Sequence, residues 1–257
     1  MSGSLRFDRA VEYYDRTRAI SDEASRRQTA LLVHELGGRR TLEIGVGTGL
    51  VALPLASAGV RVVGLDLSAP MLAKLVQNAG GRRPFPLIAG DATALPIANG
   101  SFGAALIRHV LHLIPDWERA VTELARVVAT PGTVLVSTGD IPAAWRELTE
   151  RFVTAVGHTS FARGLDVRDS ELLDAAFAAH GAAPRTLPRI PERVDTSLGT
   201  FIQQMSDGLH SWTWDVPEAR RREVVADLRR WAQERFGDLD PPEARAVEIE
   251  WRAYDLA

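Results

Sequence analysis

The chain has 257 residues, of which 46% are hydrophobic and 25% charged, with a formal net charge of −3. This composition is typical of a globular protein with one large domain, and the small negative charge excludes a field that would draw nucleic acid to the whole surface. The lack of cysteine excludes disulfides, cysteine zinc sites and thiol nucleophiles. No apolar run reaches the roughly 20 residues of a membrane span, so we expect a cytoplasmic protein.

Two helices are predicted at the start of the chain. Residues 5–20 place scattered apolar side chains among charges in a loose helical pattern. Residues 22–36 form a second helix, which Gly37 and Gly38 end. We expect residues 1–40 to be a helical cover.

A glycine-rich turn follows a short apolar strand over residues 41–44 and leads into a helix over about 50–57. Glycine occupies every second position of the turn, at Gly45, Gly47 and Gly49. Without side chains, the backbone amides of such a turn can approach a ligand at contact distance. The dinucleotide fingerprint needs glycine at the sixth position, where this chain has Leu50. The pattern therefore disfavours a nicotinamide or flavin site.

The run from Glu43 to Gly49 resembles the Glu/Asp-x-Gly-x-Gly-x-Gly signature of class I S-adenosylmethionine-dependent methyltransferases. The resemblance implies S-adenosylmethionine as cofactor and places Glu43 beside its methionine end. The run from Phe7 to Arg18 is similar to the N-terminal helix of small-molecule methyltransferases of the ubiquinone/menaquinone-biosynthesis type. That likeness implies that Tyr14 and Arg18 lie near the methionine part of the cofactor, and a solvated capping helix is the alternative.

The second strand, residues 60–65, ends at Asp66. A carboxylate at this place can accept both hydroxyl protons of a ribose, in either class of adenosine cofactor. Ser68 and Pro70 give start signals for the next helix. The segment that begins at Leu67 also resembles the family's segment after this strand, which implies cofactor contacts for Leu67 and adenine packing for Met71.

A short strand over about 86–89 leads to Gly90-Asp91-Ala92-Thr93-Ala94-Leu95-Pro96, which resembles the family's Gly-Asp-Ala-x-x-Leu-Pro segment. The resemblance implies that Asp91 accepts a hydrogen bond from the adenine amine and that the amide of Ala92 donates to a ring nitrogen. An ordinary Asx-turn at Asp91 remains the alternative.

The fourth strand, residues 103–107, and its exit loop from Arg108 to Trp117 also resemble the family. The resemblance implies that the loop faces the transferred methyl group, and we place Arg108 among the cofactor-binding residues. His109 or His112 could act as a general base if the acceptor must lose a proton. For each histidine, packing or a backbone hydrogen bond remains an alternative role.

A helix over 116–129 and a turn at Pro131-Gly132 lead to a fifth strand over 133–138, which completes a parallel unit with right-handed crossovers. Residues 183–190 predict a sixth strand. Apolar and charged residues alternate from Val247 to Ala253, which indicates an antiparallel seventh strand. We predict an α/β, Rossmann-like sheet of seven mostly parallel strands with an antiparallel last strand, helices on both faces and a helical lid.

The predicted organisation is a single methyltransferase domain over residues 1–257. After the helical cover, its cofactor-binding core is 41–140, a helical lid with substrate insertions around strand 183–190 covers 141–245, and the C-terminal strand is 246–257. Aromatic residues in the lid favour a small organic acceptor, and the alternative, which is favoured for each aromatic taken singly, is that they form the core of the lid itself.

The predicted reaction moves a methyl group from S-adenosylmethionine to oxygen, nitrogen or carbon of a small organic acceptor by in-line displacement. A sulfonium is a good leaving group, so we expect no metal. Two alternatives stay open, an NAD(P)-dependent oxidoreductase and a non-catalytic S-adenosylmethionine-binding module. The expected partner is the small-molecule acceptor, with a homodimer as an open option and with no nucleic acid or membrane partner.

Overall fold

The structure is a computed structural model that describes residues 3–137, 142–158, 160, 162–166, 169–240 and 245–257. Its helices are α1 (Tyr14–Arg18), α2 (Asp22–Leu36), α3 (Ala52–Ser57), α4 (Ala69–Asn78), α5 (Trp117–Val127), α6 (Ala143–Ala155), α7 (Ser170–Ala178), α8 (Leu198–Ser206) and α9 (Glu218–Phe236). Its strands are β1 (Thr41–Ile44), β2 (Val62–Asp66), β3 (Leu87–Ala89), β4 (Phe102–Arg108), β5 (Val128–Ser137), β6 (Ala182–Thr186), β7 (Ile190–Val194), β8 (Arg245–Ile249) and β9 (Arg252–Leu256). None of the described helices is both long and apolar enough to cross a bilayer.

Seven strands form one sheet in the order β3-β2-β1-β4-β5-β9-β6. The strands β1 to β5 pair in parallel, and β9 runs antiparallel to both of its neighbours, β5 and β6. The predicted fold class is therefore confirmed. The strand order reverses between β1 and β4, and in open α/β sheets ligands bind outside the carboxyl ends of the strands at such a point.

Alternating side chains of the central strands fill two apolar layers, one on each face of the sheet. Leu42 and Ala105 belong to the layer that includes α5 and α7. Ala104 and Leu106 belong to the other layer, with α2 and α3. Because Glu43 pairs with Leu106, Glu43 and Arg108 lie on this second face, near the carboxyl ends of β1 and β4.

The turn predicted at Pro131-Gly132 is wrong, because both residues lie inside β5. Val128 already pairs with Phe102, and after an irregularity the pairing resumes between Ala104 and Thr133. The turn residues therefore bend one strand instead of joining a helix to a new strand, as a β-bulge does.

Two predicted strands each divide in the structure. The strand expected over 183–190 becomes β6 and β7, and the strand expected over 246–257 becomes β8 and β9. The strands β7 and β8 form a separate two-stranded sheet. Pro188 cannot donate a ladder hydrogen bond, which favours the end of β6 before it. The alternation of the last segment continues across Glu250, so the sequence pattern could not show that the chain changes sheet there.

The helix expected over 5–20 is also shorter than predicted. The structure has a 3-10 turn over Asp8–Ala10 and then α1, whose five residues include none that is fully buried. By contrast, α2 has the predicted limits, since Ser21 caps its first turn and Gly37 ends it at a φ of 54°.

The chain divides into two compact units. The first unit is Met1–Gly139, Arg163–Ile190 and Glu248–Ala257, and it contains the seven-stranded sheet. The second unit is Asp140–Ala162 and Pro191–Val247, and α6, α8 and α9 pack around its own apolar core. Phe201 and Met205, two of the residues expected in the lid, are buried in that core. The lid expected over 141–245 includes residues 141, 159, 161, 167–168 and 241–244, which lie outside the described residues.

Candidate active site at the carboxyl ends of the central strands

The glycine turn adopts a backbone that needs glycine at each alternate position. The φ angles of Gly45, Gly47 and Gly49 are 68°, 54° and 91°, in the left-handed region that L side chains rarely adopt. A Cβ atom on Gly45 would lie 2.2 Å from Cγ2 of Val110, and one on Gly49 would lie 2.8 Å from Cγ of Leu53. The turn therefore brings its backbone into close contact with neighbouring side chains, where a side chain on Gly45 or Gly49 would clash.

Asp66 ties the end of β2 to this turn. Its Oδ2 accepts a hydrogen bond from the amide of Gly47 at 2.8 Å, and its Oδ1 accepts one from the amide of Ser68 at 2.8 Å. Burial raises the pKa of Asp66, while backbone hydrogen bonds from Ser68, Gly47 and Leu67 oppose that rise. Ser68 begins α4 as predicted, because its Oγ accepts from the amide of Met71 at 3.2 Å. The amide of Leu67 thus lies at the same carboxylate, and Met71 follows in the first turn of α4.

Glu43 and Arg108 have opposite charges and lie on one face of the sheet, with Glu43 buried and Arg108 partly exposed. The Glu43 side chain is only 3% exposed, and its Oε2 has no hydrogen-bond partner among the described residues. Burial raises the pKa of Glu43 well above its ordinary value; the charge of Arg108 lowers it and that of Asp66 raises it further. A buried carboxylate whose oxygen lacks a hydrogen-bond partner is stabilised in its charged form by a cationic ligand that donates hydrogen bonds.

The short helix α1 places Tyr14 and Arg18 at the same site. Phe7 packs edge-on against Tyr14 with ring centroids 5.8 Å apart. Tyr14 Cε1 and Met71 Cε lie 3.9 Å and 3.6 Å from the position that a Cβ of Gly47 would take. Burial raises the pKa of Tyr14, an effect that the charge of Arg18 opposes, and burial lowers the pKa of Arg18. Tyr14 and Met71 therefore both pack over Gly47, which is itself buried.

Asp91 and Ala92 follow β3, which is one strand further out than β2. Oδ1 of Asp91 accepts hydrogen bonds from the amide of Thr93 at 2.9 Å and from its hydroxyl at 2.8 Å. This is the Asx-turn that the sequence left as an alternative. Ala92 belongs to the apolar core beneath the turn. The adenine contacts of both residues stay predictions.

His109 has a strained backbone at the exit of β4. Its φ is 53°, and it is the one non-glycine residue with positive φ in the described part of the chain. Its amide donates to the carbonyl of Ser137 at 3.0 Å. Such outliers persist only where the surroundings fix them, and they are concentrated at functional sites.

His112 lies in the following 3-10 turn, Leu111–Leu113. Its carbonyl accepts hydrogen bonds from the amides of Arg163 at 2.9 Å and Gly164 at 3.0 Å. Burial lowers the pKa of His112 to about 4, the charge of Arg18 lowers it as well, and Asp166 opposes both effects. The imidazole is therefore neutral at neutral pH.

Both histidines line a small cleft at the end of β4. Its apolar wall includes Ile107, Val110 and Leu165. The hydroxyl of Ser137 is also at this cleft, and its oxygen is buried with no hydrogen-bond partner among the described residues. The cleft thus combines an apolar wall with few polar groups.

Sequence reasoning missed three residues that join α1 to the glycine turn. Asp15 accepts hydrogen bonds from the hydroxyl of Thr48 and, at 2.9 Å, from the side-chain amide of Asn78. Asp15 and Thr48 lie inside the motifs discussed above. Asn78 is 63 residues from Asp15, and no spacing rule points to it.

Comparisons with known proteins show the family to which the chain belongs. A family model described as a methyltransferase domain matches residues 42–136. A demethylmenaquinone methyltransferase of Mycobacterium sp. (strain KMS) is 34% identical over 239 residues, which cover 91% of this chain and 86% of that protein. A demethylmenaquinone methyltransferase of Renibacterium salmoninarum is 38% identical over 136 residues, which cover 51% of this chain and 56% of that protein.

The structure is similar to the YcgJ protein from Bacillus subtilis, with a TM-score of 0.61 and 20% identity over 90% of this chain and 99% of that one. This likeness agrees with the observed fold. The matches above give no support to an oxidoreductase, the alternative left open by the sequence. The Mycobacterium relative covers nearly the whole chain, the second unit included. The chain therefore belongs to the class I S-adenosylmethionine-dependent methyltransferases, and it is an enzyme that transfers a methyl group to a small-molecule acceptor.

Proposed function

We propose that this chain binds S-adenosylmethionine over the glycine turn and transfers its methyl group to a small hydroxylated aromatic acceptor in the cleft beside β4. The observation that carries the proposal is the carboxylate of Asp66 held at the glycine turn, with the buried Glu43 beside it. These groups lie at the carboxyl ends of β1 and β2, next to the point where the strand order reverses.

The nucleoside lies towards β2 and β3 in this proposal. Asp66 accepts the ribose hydroxyls, and Leu67 and Met71 line the adenosine from the start of α4. Asp91 and the amide of Ala92 contact the adenine edge. The oxygens of a carboxylate offer about four lone-pair positions, so the backbone bonds to Asp66 still leave capacity for hydroxyl donors.

The methionine part lies towards β1, β4 and α1. Its ammonium group meets Glu43, whose Oε2 is buried with no hydrogen-bond partner in the described part of the chain. Its carboxylate meets the guanidinium groups of Arg108 and Arg18, and Tyr14 closes this end of the site. Each charged group of the amino acid is then opposite a side chain of the other sign, and Glu43 among these is buried. Such charge pairs are stronger in a dry site than in water.

The reaction is an in-line displacement at the methyl carbon. A bond forms between the acceptor atom and that carbon while the sulfur–carbon bond breaks, which leaves S-adenosylhomocysteine as a neutral thioether. The acceptor loses its proton to solvent or to a nearby base. Alignment of the two reactants in one site can lower such a barrier by roughly 7–11 kcal/mol.

The cleft suits an acceptor with an acidic hydroxyl. With a pKa of about 4, His112 is a weak base, and it acts best as a neutral hydrogen-bond acceptor that orients the hydroxyl. The nearby cation of Arg18 favours the deprotonated oxygen, and the Ser137 hydroxyl is available as a donor. A demethylmenaquinone methyltransferase similar over 91% of this chain supports a ring of the hydroxylated naphthalene type. His109 remains the second candidate for a base.

Two assays test this proposal. Calorimetric titration with S-adenosylhomocysteine, using NADH and NADPH as controls, should give micromolar binding of the first ligand alone. A radiolabelled methyl-transfer assay should then show transfer to a reduced demethylnaphthoquinone and none to ethanolamine. Binding of the nicotinamide cofactors alone would overturn the cofactor assignment, and transfer to the amine alone would overturn the acceptor class. A homodimer and a cytoplasmic location stay predictions, which light scattering and cell fractionation can test.

A further inference from the structure

The N-terminal helix α1 contains Tyr14 and Arg18, the residues proposed to close the methionine end of the cofactor site, but few buried contacts stabilise this helix. It has five residues, and none of them is fully buried. A helix of this length is not stable in water on its own. Its position therefore depends on the contacts of a few side chains with the rest of the unit.

Asp15 makes the polar contacts that hold α1 in place. One carboxylate oxygen accepts from the hydroxyl of Thr48, which is in the glycine turn, and the other accepts from Asn78 Nδ2 at 2.9 Å. The same Asn78 amide also donates to the carbonyl of Thr48 at 3.1 Å. The three residues form a closed ring that joins α1, the glycine turn and the end of α4, and we name it the Asp15 latch.

The latch lies beside the site without belonging to its cofactor-contacting face. Thr48 lies between Gly47 and Gly49, and its side chain is 1% exposed. Its hydroxyl donates to Asp15, while Tyr14 packs over Gly47. A change at Asp15 therefore acts on the cofactor through the position of α1.

We infer that Asp15 is a positioning residue whose latch holds Tyr14 and Arg18 over the cofactor and so sets how long the cofactor stays bound. The inference rests on the proposed cofactor site. S-adenosylmethionine must enter and S-adenosylhomocysteine must leave in each turnover, and α1 blocks that exchange while the latch is closed. The latch opens when the bonds to Thr48 and Asn78 break together.

Stopped-flow displacement of S-adenosylhomocysteine tests the inference. Asp15→Ala and Asn78→Ala should each speed release on the order of tenfold, the effect of one lost charge-assisted hydrogen bond. Asp15→Glu should restore part of the slow release because it keeps the carboxylate. The double variant should release the ligand hardly faster than either single variant, since both remove one coupled unit. Asp22→Asn, at an exposed carboxylate on α2, is the matched control and should not change release.

Two further measurements separate positioning from a general structural role. Trypsin should cut after Arg16 or Arg18 faster in Asp15→Ala, with or without ligand, while the urea midpoint of the chain stays unchanged. Unchanged release and unchanged cleavage in Asp15→Ala, with normal binding to the wild-type chain, would overturn the latch alone. A large fall in the urea midpoint would also overturn it, because Asp15 would then support the whole fold. No binding to the wild-type chain would overturn the proposed function and the latch with it.

Discussion

Replacing Asp66 tests the placement of the nucleoside most directly. The carboxylate receives two backbone hydrogen bonds of 2.8 Å, from Gly47 and Ser68, and in the proposed complex it also receives the ribose hydroxyls. A hydrogen bond to a charged group contributes roughly 1.5–3 kcal/mol. Asp66→Ala should therefore weaken S-adenosylhomocysteine binding by at least about tenfold, and by more if the glycine turn relaxes once its amide loses its partner.

A second ligand separates these two effects. The 2′,3′-dideoxy analogue of S-adenosylhomocysteine lacks the hydroxyls that Asp66 is proposed to bind, but it still needs an ordered glycine turn. Calorimetric titration of both ligands against the wild-type chain and Asp66→Ala completes a double-perturbation cycle. We expect the substitution to weaken the natural ligand clearly more than the analogue. Equal losses would mean that Asp66 acts only through the turn, and no loss would refute the placement of the nucleoside.

Three other substitutions test the electrostatics and the backbone of the site. Burial raises the pKa of Glu43, so ionisation of this side chain lowers the stability of the fold as the pH rises above the ordinary pKa of glutamate. Glu43→Gln should therefore raise the urea midpoint more at pH 8 than at pH 5. The same substitution should weaken S-adenosylmethionine binding in calorimetry. Burial lowers the pKa of His112 to about 4, so as the pH falls the unfolded chain binds a proton before the folded chain does. Stability should therefore fall from about pH 6.5 towards pH 4. Over this range the urea midpoint should fall less in His112→Gln than in the wild-type chain or in His34→Gln, a control at an exposed histidine. Gly45→Ala should lower both the melting temperature and S-adenosylhomocysteine affinity, because its Cβ would lie 2.2 Å from Val110 Cγ2. Gly59→Ala is the control, since Gly59 has a φ of 88° and no atom within 4 Å of the added Cβ. This variant has the backbone strain alone and should keep the affinity. Equal loss of affinity in both glycine variants would show that the clash is not what matters.

The parts of the fold that obey local rules could be predicted from the sequence. The strand β1 has the predicted limits, and α2 begins and ends at the predicted residues, because cap residues and apolar runs are local signals. The strands that change sheet could not be predicted. Alternation reports that one face of a strand is buried, but it does not report which sheet covers that face. The last segment therefore read as one strand where the structure has β8 and β9.

The candidate site shows the same division. Glu43, Asp66 and the glycines follow strands that end at one edge of the sheet, so their meeting follows from the parallel topology. The contact of Asp15 with Asn78 depends instead on how a short helix docks, which no periodicity encodes. Two further features of the site depend on neighbours distant in sequence. The amide of His109, whose backbone is strained, bonds to Ser137, and the charge of Arg18 contributes to the lowered pKa of His112.

The electrostatics of the site separate the two cofactor classes on physical grounds. In a dinucleotide site the pyrophosphate lies against the glycine turn and the following helix, where backbone amides and the helix dipole favour negative charge. Here Gly47 already donates its amide to Asp66, and the buried carboxyl of Glu43 lies beside the turn. A pyrophosphate over the turn would meet the carboxyl of Glu43, which would have to stay protonated or repel it. The cationic groups of S-adenosylmethionine instead favour the charged form of Glu43, so binding offsets part of the free energy that burial of this side chain costs the fold. Asp66 can hold a ribose in either cofactor class and does not separate the two. The raised pKa of Glu43 therefore fits a cationic ligand, and it gives a reason why this glycine turn carries an acid at the end of β1.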